Sequence, residues 1–200
     1  MVRKKILRGL TVITLVATGA LVVTPQPAAA AIYKYWKLES VNSVKAGTPR
    51  AMAVQNASTG NNAPVIQYTY VASQPYNDIM TMEIEPNGMV RIKPQHTFSP
   101  DGNPHNDKCL AVKNNEPGFN QPIVSANCSY DSINNDVWEL LPTYLGDFGP
   151  AYLLRSWAFD TCIVVQNAST QNNAALITHT CDNAGDNHFW RANTVTVIGP

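Results

Sequence analysis

The 200-residue sequence predicts an all-β, barrel-like fold closed from three copies of a four-stranded unit, and three observations carry that expectation. Short apolar segments alternate with period two and are bounded by Asn, Gly, Pro and Ser, the pattern of half-buried strands between turns. Val54-Gln55-Asn56-Ala57-Ser58-Thr59 recurs letter for letter as Val165-Gln166-Asn167-Ala168-Ser169-Thr170, and the match continues through Asn61-Asn62-Ala63 and Asn172-Asn173-Ala174. The four cysteines form two equally spaced pairs, Cys109 with Cys128 and Cys162 with Cys181. No segment carries a convincing helical stripe.

The N-terminus is read as an address rather than as fold. Arg3, Lys4, Lys5 and Arg8 precede the apolar stretch Leu10 to Val23, a Pro-containing turn and Ala28 to Ala31, the order of a secretory signal peptide over residues 1–31. At about 14 residues the apolar stretch is shorter than the roughly 20 needed to span a bilayer. The expected product is secreted and extracellular, with no membrane association after cleavage. Cleavage removes four of the 14 basic residues and none of the 14 acidic ones, which turns the formal charge from zero to about −4. With no basic run outside the leader, there is no electrostatic footprint for nucleic acid. Residues 32–200 are enough for one domain with a sizeable core.

The repeats are read at about 35–88, 89–143 and 144–198. Strands are expected in the first at Tyr35 to Val41, Ala51 to Gln55, Pro64 to Tyr70 and Ile79 to Glu85. The second gives Met89 to Lys93, Cys109 to Lys113, Pro122 to Cys128 and Val137 to Leu141. The third gives Ala151 to Trp157, Cys162 to Gln166, Ala175 to Cys181 and Phe189 to Val195. One such unit cannot bury its own apolar face, so three must close on each other. Val54, Val112 and Val165, then Ile66, Val124 and Ile177, then Met80, Trp138 and Trp190 are expected to converge on the pseudo-threefold axis.

An even cysteine count in an exported chain points to disulfides. Three pairings are possible on paper; equal spacing favours Cys109–Cys128 and Cys162–Cys181. A zinc site is a poor alternative, since Cys-x-x-Cys is absent. Neither Gly-x-Ser-x-Gly, His-Glu-x-x-His nor a phosphate-binding Gly-rich loop occurs, so no enzyme activity and no cofactor or metal is expected. Asp182 to Asn187 is oxygen-rich but lacks the spacing of a calcium loop. His96 and His105 lie in a long segment, Gln95 to Lys108, for which Pro100, Gly102 and Pro104 make turns a sufficient explanation. Asn56, Asn127 and Asn167 each open an Asn-x-Ser triplet.

The layout resembles the β-trefoil, and specifically the ricin B-type lectin family of secreted bacterial and plant proteins, over about Tyr35 to Ile198. Three features carry the resemblance: the paired cysteines in the second and third strands, the Asn-rich loop between those strands, and endings at Asn77-Asp78-Ile79-Met80, Asn135-Asp136-Val137-Trp138 and Asn187-His188-Phe189-Trp190. These endings stand where the family has Gln-x-Trp, with Asp78, Asp136 and His188 in place of Gln and Met80 in place of the first Trp. What the resemblance implies is recognition of polysaccharide or glycan without catalysis.

Such a site combines an aromatic face for the sugar's C–H side with amide or carboxylate groups for its hydroxyls. The resemblance places an acid two residues after the first staple position, where this chain has Ala53, Ala111 and Val164. The aromatic position holds Tyr68, Ala126 and His179; the Asn position holds Asn77, Asn135 and Asn187. The expected carbohydrate-binding residues are therefore Tyr68 and Asn77, with Gln67 and Asp78 adjacent, in the first repeat and His179 and Asn187 in the third. The second repeat is expected to be structural only. The alternative is a protein-interaction or protease-inhibitor-like trefoil that presents the Gln95 to Lys108 loop to a partner.

Overall fold

The computed structural model describes residues 34–71, 75–99, 102–103, 106–130, 135–182 and 185–195. The expected signal peptide and His105 lie outside the described residues. Twelve strands follow in order: β1 Tyr35–Ser40, β2 Ala51–Val54, β3 Ala63–Tyr68, β4 Met80–Ile84, β5 Val90–Pro94, β6 Lys108–Val112, β7 Ile123–Asn127, β8 Trp138–Tyr144, β9 Pro150–Ser156, β10 Cys162–Val165, β11 Ala174–His179 and β12 Trp190–Val195. Each falls where the sequence places one. The chain also forms one short helix, α1, Val41–Lys45, which the sequence reading lacks. No described helix is long and apolar enough to cross a membrane.

Six strands close into a barrel, β12 to β1, β1 to β4, β4 to β5, β5 to β8, β8 to β9 and β9 back to β12, all antiparallel. Closure leaves the barrel without free edges. The other six form hairpins β2–β3, β6–β7 and β10–β11. These meet in a triangular cap through β3–β7 and β3–β11 pairing and a Pro122–Ile177 bridge. The architecture is a β-trefoil.

The Asn-rich motif is explained by backbone conformation. Asn56, Asn114 and Asn167 have φ of 55°, 56° and 55°, and Asn62, Asn120 and Asn173 have φ of 61°, 61° and 64°. Asn is the side-chain-bearing residue that best tolerates the left-handed region. The recurring letters thus encode the turns that return each hairpin.

The core holds Met80, Trp138 and Trp190 with Leu38, Ile92 and Leu154, and with Met52, Leu110 and Ile163. Trp138 Nε1 donates to Leu110 O at 2.9 Å and Trp190 Nε1 to Ile163 O at 3.0 Å, so both buried indoles are satisfied. One expected layer is displaced by a residue. Val65, Ile123 and Leu176, rather than Ile66, Val124 and Ile177, join the core cluster. Each pair is two consecutive apolar residues, for which alternation alone does not say which points inward.

Disulfides join Cys109 to Cys128 and Cys162 to Cys181, with Cα separations of 4.9 and 5.1 Å, each within one repeat. The first repeat has Ala51 and Tyr70 instead, and Lys37 Nζ sits 4.6 Å from the centroid of the Tyr70 ring. A charged network joins the first and second repeats. Arg91, 2% exposed, donates from Nε to Asp136 Oδ2 at 3.3 Å, from Nη2 to Ser129 O at 2.8 Å, and pairs with Glu85. Lys93 Nζ reaches Glu83 at 2.6 Å, Tyr130 Oη at 2.8 Å and Asp107 at 3.2 Å. Within the Gln95 to Lys108 segment, residues 100, 101, 104 and 105 lie outside the described residues. Its two flanks are tied down, His96 Nε2 lying 3.2 Å from Ser58 O and Ser99 N donating to Asp107 Oδ1 at 2.9 Å.

Candidate functional site

Two clefts open at equivalent places on the cap. The first, about 510 Å³, is walled by Tyr68 at the end of β3, by Asn77 and Asp78 in the turn before β4, by Asn56 in the turn after β2, and by Asn173 from the third repeat. The second, about 240 Å³, has His179 at the end of β11, Asn187 and His188 before β12, Asn167 after β10, and Asn120 from the second repeat. Each cleft therefore lies at a junction, completed by the left-handed Asn of a neighbouring repeat.

Strand alternation sets what each cleft receives. Ile66 and Tyr68 line the first cleft and Ile177 and His179 the second. Residues on the opposite face tie the repeats together. Gln67 is fully buried, and its Nε2 donates to Ser169 O at 2.8 Å and Gln171 O at 2.9 Å. The structure thus separates Gln67 from Tyr68, its expected partner in binding, and gives it to an inter-repeat contact. Thr178 holds the equivalent place, its hydroxyl donating to Gly118 O at 2.8 Å and accepting from Gln121 N at 2.9 Å.

The three turn asparagines are clamps first. Asn77 Nδ2 donates to Val54 O at 2.7 Å while Asn77 O accepts from Val54 N at 2.9 Å. Asn135 does the same with Val112 at 2.9 and 3.0 Å, and Asn187 Nδ2 donates to Val165 O at 3.0 Å. This clamp spends the amide nitrogen in every repeat. In the third, Asn187 Oδ1 also lies 3.2 Å from His188 Nδ1.

Asp78 and Asp136 share a second structural task, each capping the amide just past the second staple position. Asp78 Oδ2 accepts from Val71 N at 2.9 Å and Asp136 Oδ2 from Ser129 N at 2.7 Å. Burial pushes both carboxyls above their ordinary value, against the lowering pull of those amides and of Lys37 or Arg91. Burial holds His188 below the ordinary histidine value, with the His179 charge adding to that shift against bonds to the backbone. His179 stacks on Phe119 from the second repeat, centroids 5.4 Å apart and planes 24° apart, and meets His188 edge-on at 5.7 Å.

Tyr68, 40% exposed, gives the first cleft an aromatic face beside amide and carboxyl oxygens. Such a surface can hold a ligand by stacking and hydrogen bonding. Tyr68, Asn77 and Asp78 are brought together as expected, and His179 and Asn187 share the second cleft. Sequence reasoning missed Asn56, Asn120 and Asn173, whose signal was the recurring Asn-rich loop itself, and Phe119, which stands where the other repeats have Asn61 and Asn172. Ala53, Ala111 and Val164 are buried, so the strand position where the resemblance places an acid offers no polar group. Among the described residues, Cys109, Cys128 and Asp136 have the proximity of metal ligands, but both sulfurs are spent in a disulfide.

Comparison with curated proteins returns no match. Among solved structures, the fold is similar to that of ThreeFoil, a designed 3-fold symmetric protein, with 28% identity and a TM-score of 0.64 over 79% of this chain and 96% of that one. The Haemophilus ducreyi cytolethal distending toxin shares 18% identity, TM-score 0.59, over 83% of this chain and 86% of that one. The C-half of the earthworm R-type lectin, solved in complex with GalNAc, shares 10% identity, TM-score 0.54, over 81% of this chain and 99% of that one. These likenesses place the fold among the β-trefoils. Residues 40–196 match the family description of the cytolethal distending toxin A/C domain, and the chain belongs to that family.

Proposed function

We propose that this chain is a secreted, non-catalytic, lectin-like protein of the ricin B type, which holds a polysaccharide or cell-surface glycan in the cleft of its first repeat. The cleft of the third repeat serves as a second, smaller subsite. One observation carries the reading: Tyr68 stands on the wall of a cleft of about 510 Å³ beside Asn77, whose Nδ2 is committed to Val54 and whose Oδ1 is left for a ligand hydroxyl. Glycan binding by a lectin of the same fold, the earthworm protein solved with GalNAc, supports the chemistry. Secretion is supported by the basic and apolar pattern of residues 1–31.

The test is retention of the mature protein on a broad panel of immobilised glycans, with Tyr68→Ala as the variant. Retention on at least one glycan, lost with Tyr68→Ala in a variant that still folds, is expected. A panel on which the wild type is not retained at millimolar concentrations would end the proposal. N-terminal sequencing of protein from culture medium checks the export step, with a start between residues 29 and 32 expected.

A further inference from the structure

The pseudo-threefold symmetry allows Asp78 to be compared with its own counterpart. Leu38 and Ile92 occupy equivalent core positions in β1 and β5, so the preceding residues, Lys37 and Arg91, are equivalent cations. In the second repeat Arg91 reaches Asp136 at 3.3 Å and compensates its charge. In the first repeat Lys37 is turned elsewhere, with its Nζ 2.9 Å from Glu39 Oε1 and over the Tyr70 ring. Asp78 is left with the Val71 amide on Oδ2 and with no ion pair among the described residues, while its Oδ1, like Asp136 Oδ1, is buried without a hydrogen-bond partner. Asp78 is itself 4% exposed, and it is the only charged residue among the described residues that wall the first cleft.

A buried carboxylate that lacks an ion-pair partner is costly unless a counter-charge arrives, and Lys37 acts on Asp78 only from outside ion-pair distance. Asp136 shows that this fold has a way to compensate a carboxylate at that position, and the first repeat does not use it. The difference falls at the one of the two positions that faces the larger cleft.

Resting on the glycan-binding reading above, we infer that Asp78 is the ligand acceptor of the first cleft and makes it selective for saccharides bearing a free amine. The ammonium group donates to Oδ1 and supplies the ion pair that Lys37 does not make, Tyr68 carries the ring's apolar face, and Asn77 Oδ1 accepts a neighbouring hydroxyl. Neutral saccharides fill the same place with a hydroxyl donor and lose the charge attraction. Acidic saccharides meet a like charge and are rejected.

The experiment uses the mature protein and three probes: a chitosan oligosaccharide with its amines protonated, its fully N-acetylated counterpart, and polygalacturonate. The wild type should bind the first about tenfold more tightly than the second and leave the third unbound. Asp78→Asn preserves the acceptor for Val71 N and places an NH2 donor where Oδ1 stood, so it should erase the preference for the amine. Asp136→Asn, which alters the compensated carboxylate, should leave that preference intact. A preference that survives Asp78→Asn, or that vanishes equally with Asp136→Asn, overturns the inference. So does a wild type that binds polygalacturonate best, or one retained by some other glycan but by neither chitin-derived probe. These outcomes leave the lectin reading standing, whereas retention on no glycan of the broad panel defeats that reading as well.

Discussion

Replacing Gln67 by alanine separates a structural amide from a binding one. Gln67 Nε2 makes two neutral hydrogen bonds across the junction of the first and third repeats, to Ser169 O and Gln171 O. Each such bond contributes about 1 kcal/mol, and each acceptor stranded in a buried site costs a further increment of about 1 kcal/mol or more. Gln67 Oε1 has no hydrogen-bond partner, and its removal returns about 1 kcal/mol of that penalty. The net expectation is a destabilisation of about 2–3 kcal/mol, or a Tm lower by roughly 5–10 °C for a domain of this size. Urea unfolding followed by tryptophan fluorescence reads the change, because Trp138 and Trp190 are buried at the core and report its exposure. The denaturant slope should be unchanged, since the folded and unfolded surfaces are nearly the same. The folded fraction of Gln67→Ala should keep its glycan affinity. If stability is unaltered but glycan retention disappears, then Gln67 is a ligand contact and its placement between repeats is wrong.

The clamp made by the turn asparagines should cost about 1 kcal/mol of stability with either Asn77→Ala or Asn135→Ala, while only the former weakens glycan retention, as titration of the two variants beside the wild type would show. Opening one staple with the double change Cys162→Ser and Cys181→Ser should cost about 3 kcal/mol on the chain-entropy account, measured by denaturation without reductant. Peptide mapping that found bridges between repeats would contradict that account. Burial holds His96 and His188 below the ordinary value of 6.5. The unfolded chain therefore binds more protons below that pH, and their contribution to stability is lost as pH falls from 6.5 through the lower folded values. The denaturant midpoint should drop between pH 7.5 and 5.5, and the double change His96→Gln and His188→Gln should flatten the slope.

Most of the fold was legible in the sequence because its determinants are local. Period-two apolar runs marked all twelve strands, and the Asn recurring two residues after each second strand marked the turns, since Asn tolerates the left-handed region that Asn56, Asn114 and Asn167 occupy. The pairs Val65-Ile66, Ile123-Val124 and Leu176-Ile177 were less legible. Two adjacent apolar residues satisfy either facing, and only closure of the cap decides that Val65, Ile123 and Leu176 turn inward. That one-residue choice also governs the site, because the facing that aims Ile66 into the cleft aims Tyr68 there too and sends Gln67 to the neighbouring repeat. Asn173 and Asn120 escaped notice for a different reason. Each acts in a cleft whose other walls come from another repeat, a contact that intra-repeat spacing does not encode.

The most direct trial of the binding site is backbone chemical-shift mapping of the isotope-labelled mature protein, titrated with the glycan that retains it best. The expected perturbations cluster at Tyr68, Asn77, Asp78 and Asn173, with a weaker set at His179 and Asn187 that saturates later. Perturbations confined to the apolar pocket lined by Trp36 of β1 and Tyr152 of β9, with the first-repeat cleft silent, would contradict the account.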